Sequence, residues 1–172
     1  MRCFTRVFLA TWIGLIVLPS RCVDGDESDE RGPVPDYPIM VAVDGETVFT
    51  VDLNLPGVWK SSDQETSLFF AGSKLTRQAM NRPRAIALHP AVGLLVGDSA
   101  SREIYHIQAG QADGKPLCEG FLGNVMCLAV SPDKQTIYAG DTERRAIFKM
   151  PIDGGKPQLV ASVNPRGLSF KD

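Results

Sequence analysis

This sequence has few histidines and cysteines, the residues that most often form metal sites and disulfide bonds. It holds two histidines and four cysteines among 172 residues, and Cys3 and Cys22 lie in the N-terminal segment. The remaining pair, Cys118 and Cys127, is too small for a disulfide framework and, without neighbouring histidines, for a zinc site. We expect two buried thiols, with a bridge between them as the alternative.

Long apolar runs are scarce as well. One run of 12 residues, 7–18, follows Arg2 and Arg6, whereas a membrane-spanning helix needs about 20 apolar residues. Arginines before a short apolar core, with small residues after it, predict a signal peptide at residues 1–22. We therefore expect a secreted, periplasmic or otherwise extracytoplasmic protein with no stable membrane span after cleavage.

An excess of positive charge is also missing. The chain has 18 basic and 20 acidic residues. Residues 1–22 contain three arginines and no acid, so the part that remains after cleavage has a net charge of about −5. Nucleic acids need clustered Lys and Arg, so we expect no nucleic-acid partner. In residues 23–36, five acids crowd into 24–30, and Gly and Pro follow at 32, 33 and 35, a composition typical of a solvated linker.

What the sequence does contain is a repeat. The phrase AIALHP at 85–90 matches CLAVSP at 127–132, GLSF at 167–170 and MVAV at 40–43. A second phrase ends in an aspartate each time, and an aromatic residue follows each aspartate by seven positions. The aspartates are Asp52, Asp98 and Asp141, and the aromatics are Trp59, Tyr105 and Phe148. Weaker fourth segments follow at 68–71, 117–120 and 159–162.

Each repeat therefore predicts four short strands, because the segments are rich in β-branched and aromatic residues and are bounded by turn residues. Four strands in roughly 40 to 45 residues is the size of a β-propeller blade. We predict an all-β partial propeller with blades at about 39–82, 83–124 and 125–165, and the first strand of a fourth at 166–172. Small residues alternate with large ones in the first strands, so neighbouring blades can nest.

These phrases resemble the six-bladed β-propellers grouped with the NHL, YWTD and gluconolactonase/regucalcin-like repeats, the TolB-like propellers. PRAIALHP at 83–90 is similar to YWTD and NHL phrasing, SPDKQTIY at 131–138 to gluconolactonase-like blades, and IDGG at 152–155 to the YWTD outer turn. The resemblance covers about residues 37–172. It implies the blade type, in families that include binding platforms and hydrolases.

The resemblance also implies where a metal would be held. Lactonases of this group bind a divalent cation, calcium or zinc, with an asparagine placed just before a glycine at the start of an inner strand. The matching pairs here begin with Arg84, Met126 and Arg166, so no asparagine is supplied. No G-x-S-x-G, C-x-x-C or phosphate-loop motif is present either, and no catalytic residue is predicted.

Arg84 and Arg166 occupy one equivalent position beside the expected channel mouth. They are candidates for binding an anion or a partner's carboxylate, with pairing to a loop acid as the alternative. Asp52, Asp98 and Asp141 are predicted to close turns, with a ring of carboxylates for a cation or sugar as the alternative. The aromatics are predicted to form core between blades, with a stacking platform as the alternative.

We expect from the sequence an exported, non-enzymatic platform that binds a protein or a carbohydrate-like ligand. The alternative is a metal-dependent lactonase or related hydrolase of the gluconolactonase-like group. Three blades leave open edges, which are aggregation hazards. We therefore expect either a truncated piece of a longer product or self-association that completes a ring.

Overall fold

The computed structural model of the chain describes residues 34–63, 65–75, 80–91, 93–110 and 113–170. The predicted signal peptide at 1–22, and the linker at 23–36 apart from its last three residues, lie outside the described residues. The described chain is built of strands, turns and irregular segments, and no helix that could cross a bilayer occurs within it.

The strands form three separate four-stranded sheets, each antiparallel and each in simple sequence order. The first sheet holds β1 (Pro38–Asp44), β2 (Thr47–Asp52), β3 (Gly57–Ser61) and β4 (Thr66–Ala71). The second holds β5 (Pro83–His89), β6 (Gly93–Asp98), β7 (Glu103–Ile107) and β8 (Lys115–Pro116). The third holds β9 (Val125–Val130), β10 (Thr136–Asp141), β11 (Ala146–Pro151) and β12 (Gln158–Ala161).

Successive sheets pack face to face through their first strands, because β1 contacts β5 and β5 contacts β9. Between the first two sheets, Ile86 and Leu88 lie in one apolar cluster with Ala42. Between the second and third, Leu128 packs with Ala85. The large face of each first strand thus meets the small face of the preceding one, the nesting that the alternation predicts.

Glycine lets the second and third sheets approach closely. A Cβ added at Gly97 would lie 2.6 Å from Cγ1 of Val125 and 2.9 Å from its Cβ. Gly97 is in β6 and Val125 begins β9. A side chain at position 97 would therefore force the first strand of the third sheet away.

The fourth strand of the second sheet differs from the prediction. Residues 117–120 form bends and turns, and the strand is the two-residue β8 instead. The cause is the carboxylate of Glu103, which is 4% exposed. Its oxygens accept the N–H groups of Leu117 at 3.1 Å, Cys118 at 2.5 Å and Gly120 at 2.9 Å. The N–H of Leu117 is shared with the carbonyl oxygen of Ile104 in β7, at 3.0 Å, whereas those of Cys118 and Gly120 go to the side chain, and regular strand pairing stops there.

Residues 166–170, where the sequence predicts the first strand of a fourth blade, lie against the third sheet without strand pairing. The Phe170 ring meets that of Tyr138 edge to face, with centroids 5.2 Å apart. Pro165 is buried beside Gly140. A strand needs a hydrogen-bonded neighbour, and none follows this segment within the described residues.

Cys118 and Cys127 are free and buried. The pKa of the Cys118 thiol is raised to about 12, first by burial and then by its hydrogen bond with Glu103. Burial also raises the pKa of Cys127. Both side chains are therefore protonated and pack as small apolar groups.

The buried aspartates and the turns that they hold lie at one edge of the three sheets. Here the second strands end, the turns to the third strands follow, and the chain enters each first strand. We call this the aspartate edge, after Asp52, Asp98 and Asp141, and it comprises the described residues of 53–56, 72–82, 99–102, 117–124 and 142–145.

Candidate functional site

The three repeated aspartates end β2, β6 and β10, and all are fully buried. Asp98 shows the arrangement most completely. Its Oδ1 accepts the N–H of Arg82 at 2.7 Å and of Ala100 at 3.1 Å. Its Oδ2 accepts the N–H of Asn81 at 3.2 Å and the hydroxyl of Ser101 at 2.8 Å. The carboxylate thus fastens the turn after its own strand to the chain that enters the first strand of the same sheet.

The other two aspartates repeat this pattern. Asp52 accepts the N–H of Tyr37 at 2.6 Å, Asn54 at 2.8 Å and Leu55 at 2.7 Å. Asp141 accepts four backbone N–H groups, at 2.7 to 3.1 Å. Buried carboxylates are stable only when paired or hydrogen-bonded, and the backbone supplies these bonds.

A metal ligand set is not assembled in the described part of the chain. No group of three or more His, Cys, Asp and Glu side chains that could hold a metal ion occurs there. The oxygens of Asp52, Asp98 and Asp141 are engaged by donors in their own sheets. The side chains of the described residues consequently do not fit the divalent cation that the lactonase resemblance implies.

Arg84 and Arg166 are placed differently. Arg84 is half-buried in β5, and its Nε donates to Oγ of Ser99 at 3.2 Å. Arg166 is exposed on the segment that follows the third sheet. Of the two, Arg84 lines a cavity between the first and second sheets at the aspartate edge.

That cavity, which we call the basic cleft, has a volume of about 440 Å³. Three cationic side chains and two amides line it together with two apolar residues. They are Lys74, Arg82, Arg84, Asn54, Asn81, Leu53 and Pro56. Among the described residues, no acid forms an ion pair with its three cations.

The amides of the basic cleft are held in defined positions. Asn81 Nδ2 donates to the carbonyl oxygen of Ser73 at 2.8 Å and of Leu75 at 3.2 Å. Asn54 Nδ2 donates to Oδ2 of Asp36 at 2.9 Å. The rim of the cleft thus already carries one amide that binds a carboxylate.

The junction between the second and third sheets has no equivalent charge cluster. Where Arg82 and Arg84 stand in the second repeat, the third has Asn124 and Met126. At this junction Arg102 pairs with Glu143. The turn aspartates recur from blade to blade, whereas the cations of the basic cleft are absent from the equivalent positions of the third repeat, and Arg84 alone has a counterpart further on, at Arg166.

The repeated aromatics also separate into two groups. Tyr105 and Phe148 lie in the clusters between sheets, as predicted. Trp59 lies in neither cluster. By register it shares a face of the first sheet with Val41, Thr50 and Leu68, the face turned away from the second sheet. It is 5% exposed, and its Nε1 has no acceptor among the described residues.

A second cavity, which we call the apolar cleft, lies beside Trp59 and has a volume of about 360 Å³. Its walls are Leu55, Pro56, Trp59, Leu68, Ala71, Gly72 and Lys74. Pro56 and Lys74 also line the basic cleft, so the two cavities adjoin.

Sequence reasoning found Arg84 and missed the rest of the basic cleft. Asn54 lies 30 residues and Lys74 ten residues before Arg84, and nothing in the repeat marks either of them. Arg82 was detectable, because Arg82 and Arg84 flank Pro83 at a strand start where the other repeats carry a single arginine or none. The useful signal is therefore a departure from the repeat.

No protein-family model matches the chain, and no curated protein matches it. Several solved structures do. A nidogen/laminin complex shares 22% identity at a TM-score of 0.67 and covers 78% of this chain and 52% of its own. Hydrazine synthase of Kuenenia stuttgartiensis shares 18% sequence identity at a TM-score of 0.58, and the match covers 84% of this chain and 41% of that one. The computationally designed Ika8 protein shares 16% identity at a TM-score of 0.56, and the match covers 78% of this chain and 40% of that one.

These likenesses concern the fold. The chain spans about half the length or less of each of the three solved structures. Together with the three sheets that stack face to face, they show that this chain folds as part of a β-propeller, with each sheet as one blade.

Proposed function

We propose that this chain is an exported binding module whose aspartate edge holds a second protein. The observation that carries the proposal is the basic cleft, where Lys74, Arg82 and Arg84 face a shared cavity with no acid paired to them among the described residues. Guanidinium groups that line such a cavity suit carboxylates of a partner.

The internal repeat supports this assignment. Structural requirements of a blade recur in every blade, and the buried aspartates do. The cations do not recur at the next junction, where Asn124 and Met126 take their places. Since the fold does not need them, a ligand is the better reason for their presence. That a structurally similar protein was solved as a nidogen/laminin complex agrees with use of these blades in protein binding.

Export and membership of the YWTD, NHL and gluconolactonase-like group are parts of the proposal that rest on the sequence patterns. A carbohydrate ligand remains the alternative occupant of the same edge. The lactonase alternative is motivated by the SPDKQTIY phrase at 131–138, but three cationic side chains at the basic cleft disfavour a divalent cation there.

The test is a selection followed by matched variants. Fragments of extracellular proteins displayed on phage are selected on the full chain, and enriched fragments are titrated by biolayer interferometry. We expect the double variant Arg82→Gln, Arg84→Gln to weaken their binding by about tenfold or more. The control Lys115→Gln, Lys156→Gln removes the same charge from exposed positions elsewhere and should leave the Kd unchanged.

Urea unfolding of each variant verifies that the fold is retained. If no fragment is enriched, or if both double variants bind the enriched fragments equally well, the aspartate edge is not the binding surface and the proposal fails.

A further inference from the structure

We infer that the partner presents an acidic segment with an adjacent apolar side chain, its carboxylate in the basic cleft and its apolar group in the apolar cleft. This inference rests on the proposed function and names the chemistry of the partner.

The acidic character of the partner segment follows from the positive charge of the basic cleft. Arg82 is exposed and Arg84 half-exposed, so both guanidinium groups can turn toward a bound carboxylate and donate paired hydrogen bonds. The buried carboxylates of Asp52 and Asp98 do not compete for them, because backbone N–H groups and the hydroxyl of Ser101 engage their oxygens. The bond from Asn54 to Asp36 shows how a carboxylate is received at this rim.

The apolar side chain of the partner segment follows from the apolar cleft. Leu55 is 41% exposed and Leu68 is 47% exposed, so the apolar cleft presents hydrocarbon to solvent. Both clefts share Pro56 and Lys74 as walls. One extended segment, with alternate side chains about 7 Å apart, therefore reaches both clefts with residues that are close in its own sequence.

Lys74 connects the two halves. Lys74 lines the apolar cleft as well as the basic one, and it is exposed. A lysine in this position places methylene groups against an apolar ligand while its ammonium group remains available to a carboxylate. The same ligand can thus use both ends of one side chain.

Four fluorescein-labelled ten-residue peptides in a Gly-Ser background test the inference. The first carries two Glu and two Leu, and in the others Gln replaces Glu, Lys replaces Glu, or Ser replaces Leu. Fluorescence anisotropy with the full chain should give the lowest Kd for the Glu/Leu peptide. We expect about tenfold weaker binding for the Gln and Ser peptides, and further weakening when salt is raised from 50 to 500 mM.

Two sets of variants separate the halves. Arg82→Gln, Arg84→Gln should abolish the preference for Glu over Gln. Leu55→Ser, at an exposed position, should reduce the preference for Leu over Ser and retain that for Glu. Equal binding of the Glu and Gln peptides, or binding of the Glu/Leu peptide that both variants leave unchanged, would overturn the inference.

The same assay tests an acidic carbohydrate as the alternative occupant of the basic cleft. Oligogalacturonate that binds the wild type more tightly than the Glu/Leu peptide, with the same loss in the arginine variant, contradicts the protein segment as occupant. If the phage selection yields arginine-dependent fragments without acidic residues, the proposed function stands and this inference fails. If it yields none, both fail.

Discussion

Asp98 has no exposed surface, and its carboxylate accepts three backbone N–H groups and one hydroxyl. Asp98→Ala leaves these donors without an acceptor, and each buried donor left unsatisfied costs about 1–3 kcal/mol of folding free energy. We expect a loss of about 3 kcal/mol or more in the free energy of unfolding, measured by urea denaturation. Asp153→Ala, at an exposed position, should change it by less than about 0.5 kcal/mol. Equal losses would show that the carboxylate does not hold the turn.

Cys118 gives a pH dependence with a definite sign. Its pKa is raised from 9.0 to about 12, so between these values the unfolded chain loses the thiol proton while the folded chain keeps it. Stability attributable to this thiol is therefore complete below pH 9 and falls as pH rises toward 12, by at most about 1.4 kcal/mol per pH unit.

The comparison is the slope of unfolding free energy against pH for the wild type and Cys118→Ala between pH 8 and 10.5. The variant should be less stable at pH 8 and should show a shallower decline above pH 9. Parallel slopes would contradict the raised pKa. The pKa of Tyr105 is also raised, first by burial and in smaller part by the charge of Cys118. Both proteins are therefore compared in a Tyr105→Phe background, so that Cys118 is the titrating group by which they differ.

At the scale of elements, the junction between blades depends on Gly97. The Cβ of Gly97→Ala would overlap Val125 of β9, and overpacking of this kind costs about 1–3 kcal/mol. Val125→Ala in the same chain removes the closer contact, with Cγ1 at 2.6 Å, and leaves the Cβ contact at 2.9 Å, so it relieves part of the overlap. We therefore expect the double variant to be more stable in urea than the sum of the two single losses predicts.

Gly167→Ala is the matched control, because no atom lies within 4 Å of a Cβ added there. It should leave the unfolding midpoint almost unchanged. Additive losses for Gly97→Ala and Val125→Ala would mean that the second and third blades do not meet at these residues.

The elements that sequence analysis predicted are those whose signal is local. The first three strands of each blade recur as phrases, and the structure has them in order. The fourth strand of the second blade was misplaced because the carboxylate of Glu103 takes up the N–H groups of residues 117, 118 and 120. That contact joins residues 14 to 17 positions apart, and no repeated phrase predicts it. The basic cleft was predicted only at Arg84 for a similar reason, because Lys74 comes to line it only when the chain folds.

At the scale of the whole molecule, the first blade has an apolar face that no described blade covers. Val41 is 54% exposed and Val43 57% exposed, and both lie on the face turned away from the second blade. In the two junctions within the chain, the equivalent large residues are packed against a preceding blade. Uncovered apolar sheet faces promote association.

We expect the chain to self-associate as concentration rises and Val41→Thr, Val43→Thr to reduce this, because threonine keeps the β-branched shape and adds a hydroxyl. Sedimentation velocity over a hundredfold concentration range measures the effect. Val160→Thr, on β12 and 48% exposed, is the matched control. A wild type that sediments as a monomer throughout, or an equal effect of Val160→Thr, would contradict the prediction.

The central claim is that the aspartate edge between the first two blades binds a protein. Amide hydrogen exchange of the full chain, with and without a fragment selected on it, tests this most directly. We predict slower exchange on binding at residues 53–56 and 80–84, and no change at residues 131–135 and 151–157 on the opposite edge. Protection confined to the opposite edge would contradict the account.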